Sequence, residues 1–155
     1  MLCIGVGNVY RCDDGVGWYV ARLVRERELP GVDVLEMSGE GAALMDAWSG
    51  YDHVLLVDAV SSGAAPGTLF KIDVHTEAIP AHLFAFSTHA FGVAEAVEMA
   101  RVLGQLPEQL VIYGIEGVCF ENGVGLTSAV EATAHQIVRL AAAEGMRRYA
   151  RGGTR

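Results

Sequence analysis

Apolar residues fall along the chain in two kinds of pattern, short unbroken runs and longer stretches with helical spacing. Short runs bounded by turn residues predict buried strands, and apolar residues recurring every three or four positions predict helices. The predicted strands are Leu2–Val6, Val32–Met37, His53–Ala59, Thr68–Val74 and Leu110–Ile115. The predicted helices are Asp14–Glu28, Gly41–Trp48, Thr88–Gly104 (capped by Ser87 or Thr88) and a last one from the capping box Ser128–Glu131 to about Tyr149.

The order of these elements is βαβαβ, an extra strand, then αβα. Alternation of this kind predicts an α/β fold with a mainly parallel sheet and helices on both faces. The strand His53–Ala59 is apolar almost throughout, which is typical of a central parallel strand. A length of 155 residues suits one core, so we predict a single domain over residues 1–150 and a flexible basic tail over 151–155.

Composition narrows the classes of partner. The formal net charge is −8, from 11 basic and 19 acidic residues, which argues against nucleic acid because phosphate binding favours Lys and Arg. No apolar run approaches the roughly 20 residues that span a bilayer, and the N-terminus lacks the basic leader of a signal peptide. The three cysteines are widely spaced without a CxxC motif, so we expect a reducing, cytoplasmic location and no disulfide framework.

The first strand leads into a glycine turn, Gly5-Val6-Gly7-Asn8. A dinucleotide-binding turn needs a third glycine where Tyr10 stands, although Glu36 ends the second strand near the expected distance for its acid. A nucleotide-binding domain therefore remains one hypothesis. The other interpretation is a tight turn in which backbone crowding requires glycine.

Three polar residues, one after the glycine turn, one at the end of a strand and one at the start of a predicted helix, fall at the edge where open α/β sheets bind ligands. Two adjacent acids begin the first helix; Asp13 is predicted to cap it, which leaves Asp14 to face the crevice. Asp58 ends the apolar central strand, where a carboxylate is costly unless it is paired, capping or ligated. His89 is the one histidine at this predicted edge, and a structural hydrogen bond to the backbone is its alternative role.

Together, Asp14, Asp58 and His89 form a candidate set of ligands. Two carboxylates and one imidazole leave open positions on a divalent ion such as Ni²⁺ or Zn²⁺, which suits hydrolysis or metal recognition. The spacing contains no local metal motif, so the residues alone do not select the ion. Cys12 lies near a helix start, where a thiolate is stabilised, but no base is placed beside it and we interpret it as an ordinary thiol.

At these residues the chain resembles the hydrogenase maturation proteases, which trim the C-terminus of the large subunit of nickel-iron hydrogenases. The resemblance rests on five segments: Gly5–Asn8 with Asp13–Gly17, Val57–Ala59 with Pro66–Thr68, Ser87–His89, Val111–Glu116 and Gly125–Thr127. It implies a five-stranded sheet between helices and a metal-binding, catalytic site at Asp14, Asp58 and His89. It also implies that the nickel arrives in the large-subunit precursor, so that the protease senses completed loading. In the isolated protein another divalent metal, Zn²⁺ or Cd²⁺, would take its place, and we expect a monomer.

One segment departs from the family pattern. Many members carry an Asp-Gly-Gly-Thr-like sequence after the second strand, whereas this chain reads Glu36-Met37-Ser38-Gly39-Glu40-Gly41. Either Glu36 or Glu40 could replace the usual acid, and the class of hydrogenase served stays open. A non-catalytic metal-binding or chaperone-like module that uses the same crevice is the main alternative to a protease.

Overall fold

In a computed structural model of the chain, which describes residues 1–80, 82–84 and 88–152, five strands form one sheet between two pairs of helices. The strands are β1 (Leu2–Val6), β2 (Asp33–Met37), β3 (His53–Val60), β4 (Leu69–Asp73) and β5 (Gln109–Glu116). The helices are α1 (Val16–Glu26), α2 (Gly41–Trp48), α3 (Val93–Leu103) and α4 (Ser128–Arg151), with a short 3-10 helix (Cys12–Gly15) before α1. None of the helices described is long and apolar enough to cross a membrane.

The strand order in the sheet is β2-β1-β3-β5-β4. The first four are parallel neighbours, and β4 joins the edge antiparallel to β5. All eight residues of β3 are buried, in agreement with its predicted central position. The predicted α/β class, with a mostly parallel sheet of about five strands, is therefore confirmed. The order reverses direction between β1 and β3, so a crevice is expected at their carboxyl ends.

The two faces of the sheet bury separate cores. Alternate side chains of a strand point to opposite faces, and Leu55 and Val57 of β3 pack with α1 and α4, whereas Leu56 and Val60 pack with α2 and α3. Asp58 has the same parity as Leu56 and Val60. Its carboxylate thus replaces an apolar side chain on the face covered by α2 and α3.

The third helix begins later than predicted. The α3 helix starts at Val93 rather than Thr88, and Gly92 is its N-cap, with its N–H bonded to the Glu95 carboxylate at 3.1 Å. The preceding segment makes a different contact, because the Phe91 carbonyl accepts a 2.8 Å hydrogen bond from the N–H of Gly41 at the start of α2. His89 consequently lies in a loop before the helix. Ser87, the other predicted cap, lies outside the described residues.

The predicted caps Asp13 and Ser128 are also wrong. Gly15 is the N-cap of α1 and Thr127 is the N-cap of α4, so Asp13 and Ser128 cap neither helix. The Asp13 carboxylate instead accepts a hydrogen bond from the hydroxyl of Thr127 at 3.0 Å. Asp13 and Thr127 satisfy each other across the fold, a long-range pairing that local capping rules do not anticipate. The predicted tail falls partly on residues 153–155, which are outside the described part of the chain.

The expectation of unpaired cysteines is also wrong. Cys12 and Cys119 form a disulfide, with their Cα atoms 5.6 Å apart, and Cys3 is a buried free thiol. The pair links the loop after β1 to the loop after β5 across 107 positions of sequence. Counting and spacing cysteines does not reveal such a pairing, because it depends on which loops meet in space.

A thiol count tests this disulfide. Protein purified without reductant and then unfolded is expected to expose one reactive thiol, that of Cys3, and reduction is expected to lower the free energy of unfolding by about 2–4 kcal/mol. Alkylation with mass spectrometry measures the first quantity, and denaturant unfolding with and without reductant measures the second. The Cys12→Ser variant is the control, since reductant should leave its stability unchanged. Reaction of all three cysteines in the unreduced protein would contradict the pairing.

Candidate functional site

Two close backbone approaches position the loop that carries Asp14. A Cβ added at Gly17 in α1 would lie 2.2 Å from the carbonyl oxygen of Val6 and 2.4 Å from that of Val57. Real Cβ atoms do not approach that closely, so glycine lets the first turn of α1 rest directly on the ends of β1 and β3. The residues just before α1, including Asp14, are thereby brought to the edge of the sheet.

The second close approach is at the predicted glycine turn. Gly7 has φ +145°, and a Cβ there would lie 1.9 Å from the carbonyl oxygen of Asp14. The next residue, Asn8, donates its N–H to that same carbonyl at 3.2 Å. The turn therefore holds the Asp14 backbone against the end of β1, in agreement with the interpretation that crowding requires glycine here.

A cavity of about 240 Å³ opens at the carboxyl ends of β1 and β3, where the strand order reverses. Asp14, Asp58 and His89 all line it, although they come from three different segments of the chain. Arg11 contributes a cation to the same lining. The structure thus brings together the three residues that were predicted from sequence to meet.

Asp58 is the most deeply buried acid of the cavity, with 6% of its surface exposed. Its Oδ1 accepts a 2.8 Å hydrogen bond from the N–H of Ala59. Burial raises the pKa of Asp58 well above its usual range, the negative charge of Asp14 raises it further, and the Ala59 N–H opposes the shift. The Asp58 carboxyl therefore holds its proton more tightly than an exposed aspartate does.

Asp14 has a different environment in the same cavity. Burial raises the pKa of Asp14, while the Arg11 guanidinium and a hydrogen bond from the Asn8 backbone N–H counteract that effect. The two acids interact electrostatically, so their titrations are coupled, and Asp58 is the member more strongly shifted towards its neutral form. A cation placed between them would relieve both the burial cost and the mutual repulsion.

His89 is half-buried and lies beside the start of α2. Its neighbour there is Glu40, the N-cap of α2, whose carboxylate accepts hydrogen bonds from the N–H groups of Ala42 and Ala43 at 2.9 and 2.8 Å. Those two bonds lower the pKa of Glu40, and the charge of His89 lowers it further. Of the two glutamates left open by the sequence, Glu40 is thus the one close to the site.

Glu36 lies elsewhere. Its carboxylate forms ion pairs with Arg22 and Arg25 of α1, at 3.1 and 2.5 Å. These contacts fasten β2 to α1 on the outside of the sheet, so Glu36 has a structural role in this conformation.

The spacing of the candidate ligands bears on the metal-binding hypothesis. Within residues 1–80, 82–84 and 88–152, no three His, Cys, Asp or Glu side chains are close enough together to hold a metal ion. Asp14, Asp58 and His89 share a cavity without forming a closed coordination shell. Two carboxylates and an imidazole are nevertheless a suitable donor set for a borderline divalent ion, once the side chains move together around it.

Two buried acids support the walls of the cavity and were not recognised in the sequence as doing so. The Asp13 carboxylate accepts the N–H groups of Val118, Cys119 and Thr127 at 2.8–3.1 Å, which fastens the loop after β5 to the loop that carries Asp14. Glu116, at the end of β5, accepts hydrogen bonds in the same way from the loop after β3.

The bonds to Glu116 come from the backbone N–H groups of Ser62 and Gly63, at 2.9 and 3.1 Å, and from the Ser62 hydroxyl at 2.7 Å. The next residue back, Ser61, lines the cavity and donates its N–H to the Leu83 carbonyl at 2.9 Å. An acid at the end of a buried strand was the signal that identified Asp58, and the same signal, applied to β5, identifies Glu116.

Comparison with known proteins decides the family. A sequence profile described as hydrogenase maturation protease matches residues 19–144. The chain belongs to the hydrogenase maturation protease family. Among its relatives in this family, the hydrogenase 2 maturation protease of Escherichia coli (strain K12) is 33% identical over 137 residues, which cover 85% of this chain and 82% of that protein. The family resemblance of the sequence is therefore confirmed, and with it the class of hydrolase.

Solved structures of similar proteins have the same fold. The solution structure of an endopeptidase from Escherichia coli superposes with a TM-score of 0.75 at 28% identity and covers 95% of this chain and 93% of that one. The hydrogenase maturating endopeptidase HybD from E. coli superposes with a TM-score of 0.68 at 27% identity, over 92% and 90% of the two chains. The hydrogenase maturation protease fold thus accounts for nearly the whole chain.

Proposed function

We propose that the protein is the endopeptidase that removes the C-terminal extension of a nickel-iron hydrogenase large-subunit precursor after nickel has been inserted. The observation that carries the proposal is the meeting of Asp14, Asp58 and His89 in one cavity at the β1/β3 switch of a hydrogenase maturation protease fold. Membership of the family supports the substrate class. The nickel requirement and the role of each residue are proposals.

In this proposal the metal is part of the substrate. Asp14, Asp58 and His89 would bind the exposed side of the nickel ion, which leaves its other positions to the precursor. The loose arrangement of the three side chains suits a site that is completed only when the loaded precursor brings its own ligands. A metal bound in this way supplies Lewis acidity to a peptide carbonyl or to a water molecule.

The electrostatics of the acids are compatible with such a role. Burial disfavours the charged form of Asp58, so this carboxyl becomes a good cation ligand only when a positive charge arrives to compensate. Binding of a cation then releases the proton, which makes affinity for a metal-loaded partner rise with pH. An isolated protein should bind Zn²⁺ or Cd²⁺ weakly through the same three side chains.

A trimming assay tests the proposal. The protein is incubated with large-subunit precursor prepared with and without inserted nickel, and the loss of the C-terminal extension is followed by mass spectrometry. We expect cleavage of the loaded precursor alone. Cleavage of nickel-free precursor would contradict the nickel requirement, and binding of the loaded precursor with no loss of mass would favour the non-catalytic module instead.

A further inference from the structure

The size of the cavity shows that most of a polypeptide substrate must bind outside it. Its volume of about 240 Å³ is below the roughly 300–1,000 Å³ of pockets that enclose small molecules. A precursor chain that places its scissile bond beside Asp58 therefore crosses the mouth of the cavity. The residues around this mouth are therefore the ones that can contact the rest of the polypeptide.

One side of the mouth is built from two loops that are fastened together. The first follows β1 and carries Tyr10 and Arg11, and the second follows β5 and carries Phe120; all three line the cavity. The Gly123 N–H donates to the Tyr10 carbonyl, and the Cys12 N–H donates to the Gly123 carbonyl, both at 2.9 Å. With the Cys12–Cys119 disulfide, these bonds make the two loops one continuous surface.

This surface exposes two large apolar side chains. Tyr10 is 69% exposed and Val124 is 81% exposed, one on each of the two loops. Single exposed apolar side chains are common on protein surfaces. Here, however, the hydrogen bond between Gly123 and Tyr10 holds the two loops side by side at these positions, next to the residues that line the cavity.

A groove lies beside the cavity and is lined partly by the same two loops. It has a volume of about 150 Å³ and is lined mainly by apolar side chains, among them Val9, Tyr19, Val124 and Leu126. Val9 lines both the cavity and the groove, so the two are adjacent. We name the surface formed by Val9, Tyr10, Val124 and Leu126 the mouth surface.

We propose that the mouth surface binds the polypeptide segment of the precursor adjoining the scissile bond, through apolar side chains of that segment. The inference rests on the proposed function and adds to it the place where the substrate chain lies. The shared residue Val9 is its main support, because a groove that shares a wall with the cavity lies within reach of a chain that crosses the mouth. A rigid aromatic such as Tyr10 is also the type of residue that contributes most at binding surfaces.

Substitutions at the two most exposed positions test the inference. Tyr10→Ser and Val124→Ser are each expected to raise the KM for precursor about fivefold, which corresponds to roughly 1 kcal/mol of binding. The fall in kcat/KM should come from KM, and thermal unfolding should not change, because neither side chain is packed in the core. The matched control is Val102→Ser, since Val102 is 82% exposed near the end of α3 and should behave as wild type.

A binding measurement separates the role of the mouth surface from the proposed endopeptidase activity. Precursor binding is measured by biolayer interferometry on the same variants, so the mouth surface is tested even if the wild type fails to cleave and the proposed function fails. Unchanged KM and unchanged binding in both variants would overturn the inference. A change confined to self-association, measured by sedimentation, would show that this surface instead joins two copies of the chain and would overturn it too.

Discussion

Substitution of Asp58 by asparagine is expected to abolish trimming while the protein remains folded. Asparagine keeps the shape of the side chain and the hydrogen bond from the Ala59 N–H, but it has no ionisable carboxyl with which to bind a cation or move a proton. Loss of a group of this kind lowers turnover by at least about a hundredfold. The measurement is the rate of appearance of processed large subunit at saturating loaded precursor.

The stability of the same variant has a predicted dependence on pH. Burial raises the pKa of Asp58 in the folded protein. The contribution of this carboxyl to the free energy of unfolding is therefore fully present below about pH 4, the pKa in the unfolded chain, and is lost as pH rises through the folded pKa. Asparagine does not titrate. The variant should therefore gain stability relative to wild type as pH rises from about 4, which denaturant unfolding across pH can measure.

The control for this experiment is Asp46→Asn, on the exposed side of α2, which should change neither trimming nor the pH profile. Wild-type trimming by Asp58→Asn would remove Asp58 from the mechanism. Loss of trimming together with loss of stability at all pH values would assign Asp58 a structural role instead. Either result would leave the family assignment intact, because that assignment rests on the sequence profile and on the similarity to a known hydrogenase maturation protease.

The residue pattern predicted that Asp14, Asp58 and His89 would lie near one another, and all three line one cavity. Parallel strands end at the same edge, so residues that follow β1 and β3 start out close to one another, and the close packing at Gly7 and Gly17 then holds Asp14 at that edge. Asp58 was identifiable because burying a carboxylate on an otherwise apolar strand costs free energy unless the group is paired, capping or ligated. His89 was placed at the correct edge from a helix predicted to begin at Thr88, although α3 begins at Val93. Its location therefore depended on the family resemblance more than on the helix.

What the pattern did not reveal depends on contacts between distant segments. The Cys12–Cys119 disulfide and the bond from Thr127 to Asp13 join loops more than a hundred positions apart. Local rules assign such residues to the nearest available role, a free thiol for Cys12 and a helix cap for Asp13. Tertiary structure gives them other partners, and in both cases the partner belongs to the loop that follows β5.

Asp13 shows the consequence most strongly, because its replacement by alanine is expected to lower the free energy of unfolding by about 3–5 kcal/mol. The side chain is fully buried and accepts the N–H groups of Val118, Cys119 and Thr127 as well as the Thr127 hydroxyl. Removal of the acceptor leaves these donors unpaired inside the protein. Denaturant unfolding at neutral pH measures the loss.

Substitution by asparagine is expected to have different effects on stability at Asp13 and at Asp14. In Asp13, Oδ2 accepts the Val118 and Cys119 N–H groups while Oδ1 accepts the Thr127 N–H, so either orientation of an asparagine amide turns its NH₂ towards a donor. Asp13→Asn should therefore also be destabilised, by about 1–3 kcal/mol. Asp14→Asn, the matched substitution one residue along, should keep wild-type stability or exceed it, because burial disfavours the Asp14 charge, and should lose trimming. If Asp13→Asn instead unfolded like wild type, the loop after β5 would not depend on this carboxylate, and the walls of the cavity would have to be held by the disulfide and the backbone pairing at Gly123.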